Sequence, residues 1–76
     1  MIKVISKPSC TECDRIKRLL NEADIEYQEE DMTTMTNEEQ FALRNTARKN
    51  RQMSMPMIFV NGEFIRTANF EEAYLG

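Results

Sequence analysis

The stretch 6-SKPSCTECDRIKRLL-20 holds both cysteines of the chain, Cys10 and Cys13, in C-x-x-C spacing. Before it, Ile2, Val4 and Ile5 are β-branched residues that suit a strand, which Lys7-Pro8-Ser9 then ends, because proline cannot sit in a central ladder. After it, Ile16, Leu19, Leu20 and Ala23 recur at i, i+3, i+4, i+7, an apolar stripe with charges opposite. This spacing predicts a helix from about Thr11 to Glu22. The cysteines therefore stand where a strand has just ended and a helix begins.

That position has a chemical consequence. Unpaired N–H groups and the dipole of a helix start favour negative charge. A thiolate at Cys10 is stabilised over the thiol, which moves it from about 8.5 toward the ~3.5 to 7.5 range of reactive cysteines. Lys7 can add a positive charge nearby. Cys13 lies one turn further on, close enough to attack a mixed disulfide formed at Cys10. The competing reading is a metal site, which normally takes four ligands where two thiolates supply half. The chain has no histidine and no third cysteine. Only dimerisation or an external thiol would complete a zinc or iron–sulfur site. A purely structural bridge does not suit a reducing compartment.

Further along, "DIEYQEEDM" (Asp24–Met32) alternates Ile25 and Tyr27 with polar residues, as a strand does, and its later acids suit a sheet edge. In "TMTNEEQFALRNTARKN" (Thr34–Asn50), Thr36 and Glu39 stand at capping-box spacing, and Phe41, Ala42 and Ala47 mark the expected inner face of a second helix. Asn61-Gly62 between two apolar runs predicts a tight hairpin. In "TANFEEAYLG" (Thr67–Gly76), Thr67 or Asn69 is the expected cap of a last helix carrying Phe70, Ala73 and Tyr74. The element order is β-α-β-α-β-β-α, one α/β domain over residues 1–76.

Seventy-six residues suffice for one modest core, and the 41% hydrophobic and 30% charged fractions are those of a folded globular chain. No apolar run approaches the roughly 20 residues that span a bilayer, and no leader is evident, so a cytoplasmic location is expected, without membrane contact. The net charge of −3 argues against nucleic acid. From Asn21 to Leu43 there are eight acids and no base, whereas Arg44, Arg48, Lys49 and Arg51 form a basic segment.

"KPSCTEC", "SMP" (Ser54–Pro56) and "VNG" (Val60–Gly62) together resemble the glutaredoxins and the related glutaredoxin-like hydrogen donors of ribonucleotide reductase. The resemblance runs through essentially the whole chain. It implies a thioredoxin-like, four-stranded mixed sheet in order 2-1-3-4, flanked by three helices. It also implies a dithiol oxidoreductase with Cys10 attacking and Cys13 resolving. By the same resemblance Met55-Pro56 is a cis peptide, Pro56 sits against the cysteines, and the Met55 main chain pairs with substrate. Lys7, Thr11, Glu12, Ala68 and Asn69 complete the implied substrate or glutathione site, with Arg44 as a further basic contact. The implied partners are glutathione, as reductant rather than tightly bound cofactor, and disulfide-containing proteins such as ribonucleotide reductase. A monomer without metal is expected. Two alternatives stand beside this: a metal or cluster carrier dimerising through the cysteines, and a redoxin reduced by thioredoxin reductase. The chain departs from the family in two places. "RTAN" (Arg66–Asn69) replaces a Gly-Gly-Cys-Asp pattern, and "CTEC" replaces the common "CPYC", so that Glu12 is expected to oppose the thiolate.

Overall fold

A computed structural model describes residues 1–76. Strand β1 (Ile2–Ser6) leads through Lys7–Cys10 into helix α1 (Thr11–Glu22), and β2 (Gln28–Asp31) returns parallel to β1. A 3₁₀ turn at Met32–Thr34 precedes α2 (Asn37–Lys49). Strands β3 (Met57–Val60) and β4 (Glu63–Ile65) form an antiparallel hairpin, and α3 (Thr67–Phe70) runs on into a π-type turn at Glu71–Leu75. The sheet order is β2-β1-β3-β4, with β1 and β3 antiparallel. The architecture and element order are those expected from the sequence.

The alternation of side chains along β1 and β3 divides the core between the two sheet faces. Val4 and Ile58 point to one face, where Ile16 and Leu20 of α1 and Phe70 of α3 close over them. Ile5 and Met57 point to the other, where Leu43 and Ala47 of α2 cover them. The inner face of α2 is therefore set by Leu43 and Ala47, four residues apart. Phe41 is 64% exposed and Ala42 is exposed as well, so two of the three expected inner residues face outward. Phe41 and Ala42 lie two and one residues before Leu43, which at 100° per residue carries them off the Leu43–Ala47 stripe.

Local signals hold where they are chemical. Thr36 Oγ1 accepts from the Glu39 N–H at 3.1 Å while Glu39 Oε1 accepts from the Thr36 N–H at 3.0 Å, a complete capping box. Asn61 and Gly62 have φ of 52° and 86°, the positive pair a two-residue hairpin demands. The second strand is shorter than the alternation suggested. The Ile25 N–H still donates to the Leu20 carbonyl, and Asp24 has φ of 57°, so the chain is closing α1 there. Ile25 and Tyr27 pack on the first core cluster from this approach segment, and only the polar Gln28–Asp31 pairs in the ladder.

The last helix also starts differently. Its cap is Arg66, which makes no side-chain capping bond, and Asn69 is an exposed residue inside the first turn. Thr67 does not cap because it is already the first helical residue and its hydroxyl is engaged elsewhere, accepting from Gln52 Nε2 and donating to the Pro56 carbonyl, both at 3.1 Å.

Ile16→Ala removes a fully buried side chain between α1 and the sheet, and should lower the unfolding free energy by about 2 to 5 kcal/mol. Phe41→Ala should change it by only about 0.5 kcal/mol. Urea titrations of the two variants provide the comparison.

Candidate active site

The functional end of the molecule follows from register. Ile5 of β1 pairs with Met57 of β3, so the exit of β1 toward Cys10 and the entrance of β3 after Pro56 lie at the same end of the sheet. Ser9, with φ of 57°, occupies the left-handed region that non-glycine residues rarely adopt, directly before Cys10. This turn delivers Cys10 as the N-cap of α1, where its Sγ accepts the Cys13 N–H at 3.2 Å. A sulfur here performs the role that an oxygen usually fills at a helix start. The two cysteines are joined by a disulfide with Cα atoms 5.2 Å apart. They differ in access: Cys13 is 0% exposed and Cys10 is 9% exposed.

Met55-Pro56 is a cis peptide, as the resemblance implied, and Pro56 is fully buried. A groove of about 680 Å³ runs beside it, lined among others by Glu12, Arg51, Met53, Met55, Arg66 and Ala68. Three of the expected site residues, Glu12, Met55 and Ala68, are thus brought together. Lys7 is exposed and opens instead on a separate hollow between α1 and β2, with Asp14, Lys17 and Glu29. Thr11 is exposed on the first turn of α1, and Asn69 and Arg44 are exposed outside the groove. Nowhere are three or more His, Cys, Asp or Glu side chains gathered around a point that could take a metal ion.

Glu12 does not confront the cysteines as a free charge. Arg15 grips both of its oxygens, Nε to Oε1 at 3.0 Å and Nη2 to Oε2 at 2.9 Å, and also binds Glu71 of the C-terminal turn. Hydrogen bonds from Arg15 hold both carboxyls below their usual 4.5, with partial burial opposing and the guanidinium charge adding to the effect. The expected opposition of Glu12 to the thiolate is therefore offset by an internal counter-ion. Arg15 and Glu71 were not singled out from sequence; the i, i+3 spacing of Glu12 and Arg15 was the available signal.

The glutaredoxin family model matches residues 2–65. The chain belongs to the glutaredoxin family. With the bonded Cys10–Cys13 pair, membership makes it a thiol–disulfide oxidoreductase. Solved structures agree on the fold. A dithiolic glutaredoxin of Trypanosoma brucei brucei is 26% identical, with a TM-score of 0.70 over 95% of this chain and 73% of the other. A buckwheat glutaredoxin solved as a glutathione complex is 23% identical, with a TM-score of 0.71 over 95% of this chain and 68% of the other. The thioredoxin-like protein BC3987 is 21% identical, with a TM-score of 0.68 over 99% and 97%. No curated protein sequence matches the chain significantly. No helix of this glutaredoxin is long and apolar enough to cross a membrane.

The Arg15 cluster gives a pH dependence of definite sign. Carboxyls held below 4.5 in the folded state contribute stability that is complete above the unfolded value and lost as pH falls through the lowered ones. Arg15→Met should therefore flatten the decline in urea midpoint between about pH 6 and pH 3. An unchanged slope in that variant would show that Arg15 does not hold these groups.

Proposed function

We propose that this glutaredoxin reduces mixed disulfides on proteins and on glutathione, with Cys10 as the attacking thiol, Cys13 as the resolving thiol and glutathione as the electron donor. The observation that carries the reading is the asymmetry of the pair. Cys10 is the more exposed residue of the two and its Sγ accepts the Cys13 N–H, whereas Cys13 is wholly buried. A donor hydrogen bond at a helix start favours the thiolate, which is the nucleophile in exchange.

The steps balance without a further reagent. The Cys10 thiolate attacks one sulfur of the substrate disulfide, and the other sulfur leaves as a thiolate and takes a proton from water. Cys13 then gives up its proton and attacks Cys10 Sγ, which releases the second substrate thiol and forms the Cys10–Cys13 bridge. One glutathione thiolate opens that bridge to a Cys10–glutathione disulfide. A second attacks the glutathione sulfur and leaves as glutathione disulfide, so two thiols supply the two electrons.

The buckwheat relative, described as a glutathione complex, supports this choice of donor. In the proposed site Met55 and Pro56 present main chain to the substrate, and Thr11, Glu12, Ala68 and Asn69 flank it. Lys7 meets a carboxylate from the α1–β2 side. Disulfide-containing proteins such as ribonucleotide reductase form the substrate class, and a monomer in a reducing cytoplasm is the setting in which such a donor works.

With glutathione and a peptide–glutathione mixed disulfide, Cys10→Ser should fall to the uncatalysed rate. Cys13→Ser should still deglutathionylate this substrate, but should remain trapped as a mixed disulfide with protein substrates. Turnover of the native protein with thioredoxin reductase alone, and none with glutathione, would overturn the donor assignment.

A further inference from the structure

Gln52 lies in the loop between α2 and β3, and nothing in the sequence distinguishes it. In the fold its side chain joins three stretches of main chain near the cysteine end. Its amide nitrogen stands 3.0 Å from the Pro56 carbonyl, 3.1 Å from Thr67 Oγ1 and 3.3 Å from the Ser54 carbonyl, so its two hydrogens are shared among three acceptors, the Ser54 contact being the longest. Its amide oxygen accepts the Thr67 N–H at 2.7 Å. Thr67 Oγ1 in turn donates to the Pro56 carbonyl at 3.1 Å. The Pro56 oxygen therefore receives two donors, which is its full acceptor capacity, and proline has no N–H to bond elsewhere.

The pattern of tethering matters more than its extent. Carbonyls 54 and 56 are tied to Gln52, whereas the N–H and C=O of Met55 between them enter no hydrogen bond within the chain. Met55 is only half-buried and lines the groove with Glu12 and Ala68. A free donor and acceptor on a fixed segment at the entrance to β3 form a short template for an added peptide strand. Such a template works only if the segment is held still, since a displacement of about 1 Å at a reacting centre can cost on the order of 100-fold in rate.

We infer that Gln52 is a positioning residue, which ties the Met55–Pro56 main chain to the start of α3 and so holds the Met55 peptide groups ready to pair with a substrate peptide. This rests on the disulfide-exchange reading given above. Gln52 touches neither sulfur in this role and acts through Met55. Its loss should impair reactions that need main-chain docking and spare those that need only a reactive Cys10.

The test compares two reactions of the reduced protein: exchange with a peptide disulfide, and alkylation of Cys10 by iodoacetamide, which needs no docking. Gln52→Ala should slow peptide exchange roughly ten- to hundredfold and leave alkylation within about twofold. Thr67→Ala keeps the N–H that Gln52 accepts but loses the hydroxyl, and should show a smaller loss in the same reaction. Gln52→Glu keeps the acceptor and loses the donors until its carboxyl is protonated. Its exchange rate relative to native protein should therefore rise as pH falls from about 7 to about 5. These last two variants carry the test if Gln52→Ala does not fold. Equal losses in exchange and alkylation, or peptide exchange at the native rate, would overturn the proposal. A native protein that alkylates at Cys10 but exchanges with no peptide disulfide would overturn the underlying reading instead, and this inference with it.

Discussion

Strand β1 hydrogen-bonds to parallel β2 along one edge and to antiparallel β3 along the other, while both of its faces are covered. Val4 and Ile5 are consecutive and both buried, so neither register nor facing can slip by a residue without exposing one core to water. Once β1 is fixed, so are the two segments that leave it and meet it. Its exit places Cys10 at the start of α1, and its pairing with Met57 places Pro56 at the same sheet end. The cysteine pair thus inherits its position from the most constrained strand of the fold. The loop between them needs only one unusual residue, Ser9, to make the turn.

Charge around this end is organised locally, despite the net −3 of the chain. Glu12 and Glu71 share Arg15. On the α1–β2 side, Glu29 is bound by Lys17 at 2.5 Å and by the Ser6 hydroxyl at 3.0 Å. Hydrogen bonding from Lys17 is the main cause that holds the Glu29 carboxyl low. Three acids close to the active end are therefore committed to internal partners. Arg51 and Arg66 on the groove make no ion pair, so two cations there lack an acidic partner despite the net negative charge of the chain.

What could be read from the sequence was whatever short-range chemistry encodes. The boundaries of α1, the Thr36–Glu39 box, the Asn61-Gly62 turn and the placement of Cys10 each depend on a few adjacent residues. Facing in α2 was misread because Phe41 is the larger hydrophobe, while the sheet contact uses Leu43 and Ala47. The cap of α3 was misread because Thr67 is engaged by Gln52, fifteen residues earlier. Arg15 with Glu71 is a contact across 56 residues. No local pattern reports such pairings, which exist only once the sheet has brought the elements together.

The same distinction clarifies the departure at Arg66–Asn69, where the family carries two glycines. Arg66 sits at φ −63° and ψ 141°, ordinary extended geometry, and none of these four residues has positive φ. The backbone path therefore does not require glycine, and its absence imposes no strain. What changes is the surface. Where glycine would leave bare main chain, Arg66 and Thr67 add side chains to the groove, and the first N–H of α3 is already taken by Gln52. The charged group that this stretch brings to the groove is the Arg66 guanidinium. A guanidinium can form two parallel bonds to a carboxylate, and backbone amides add their own donors. The substitution therefore changes the side chains that line the groove while leaving the backbone path beneath them unstrained.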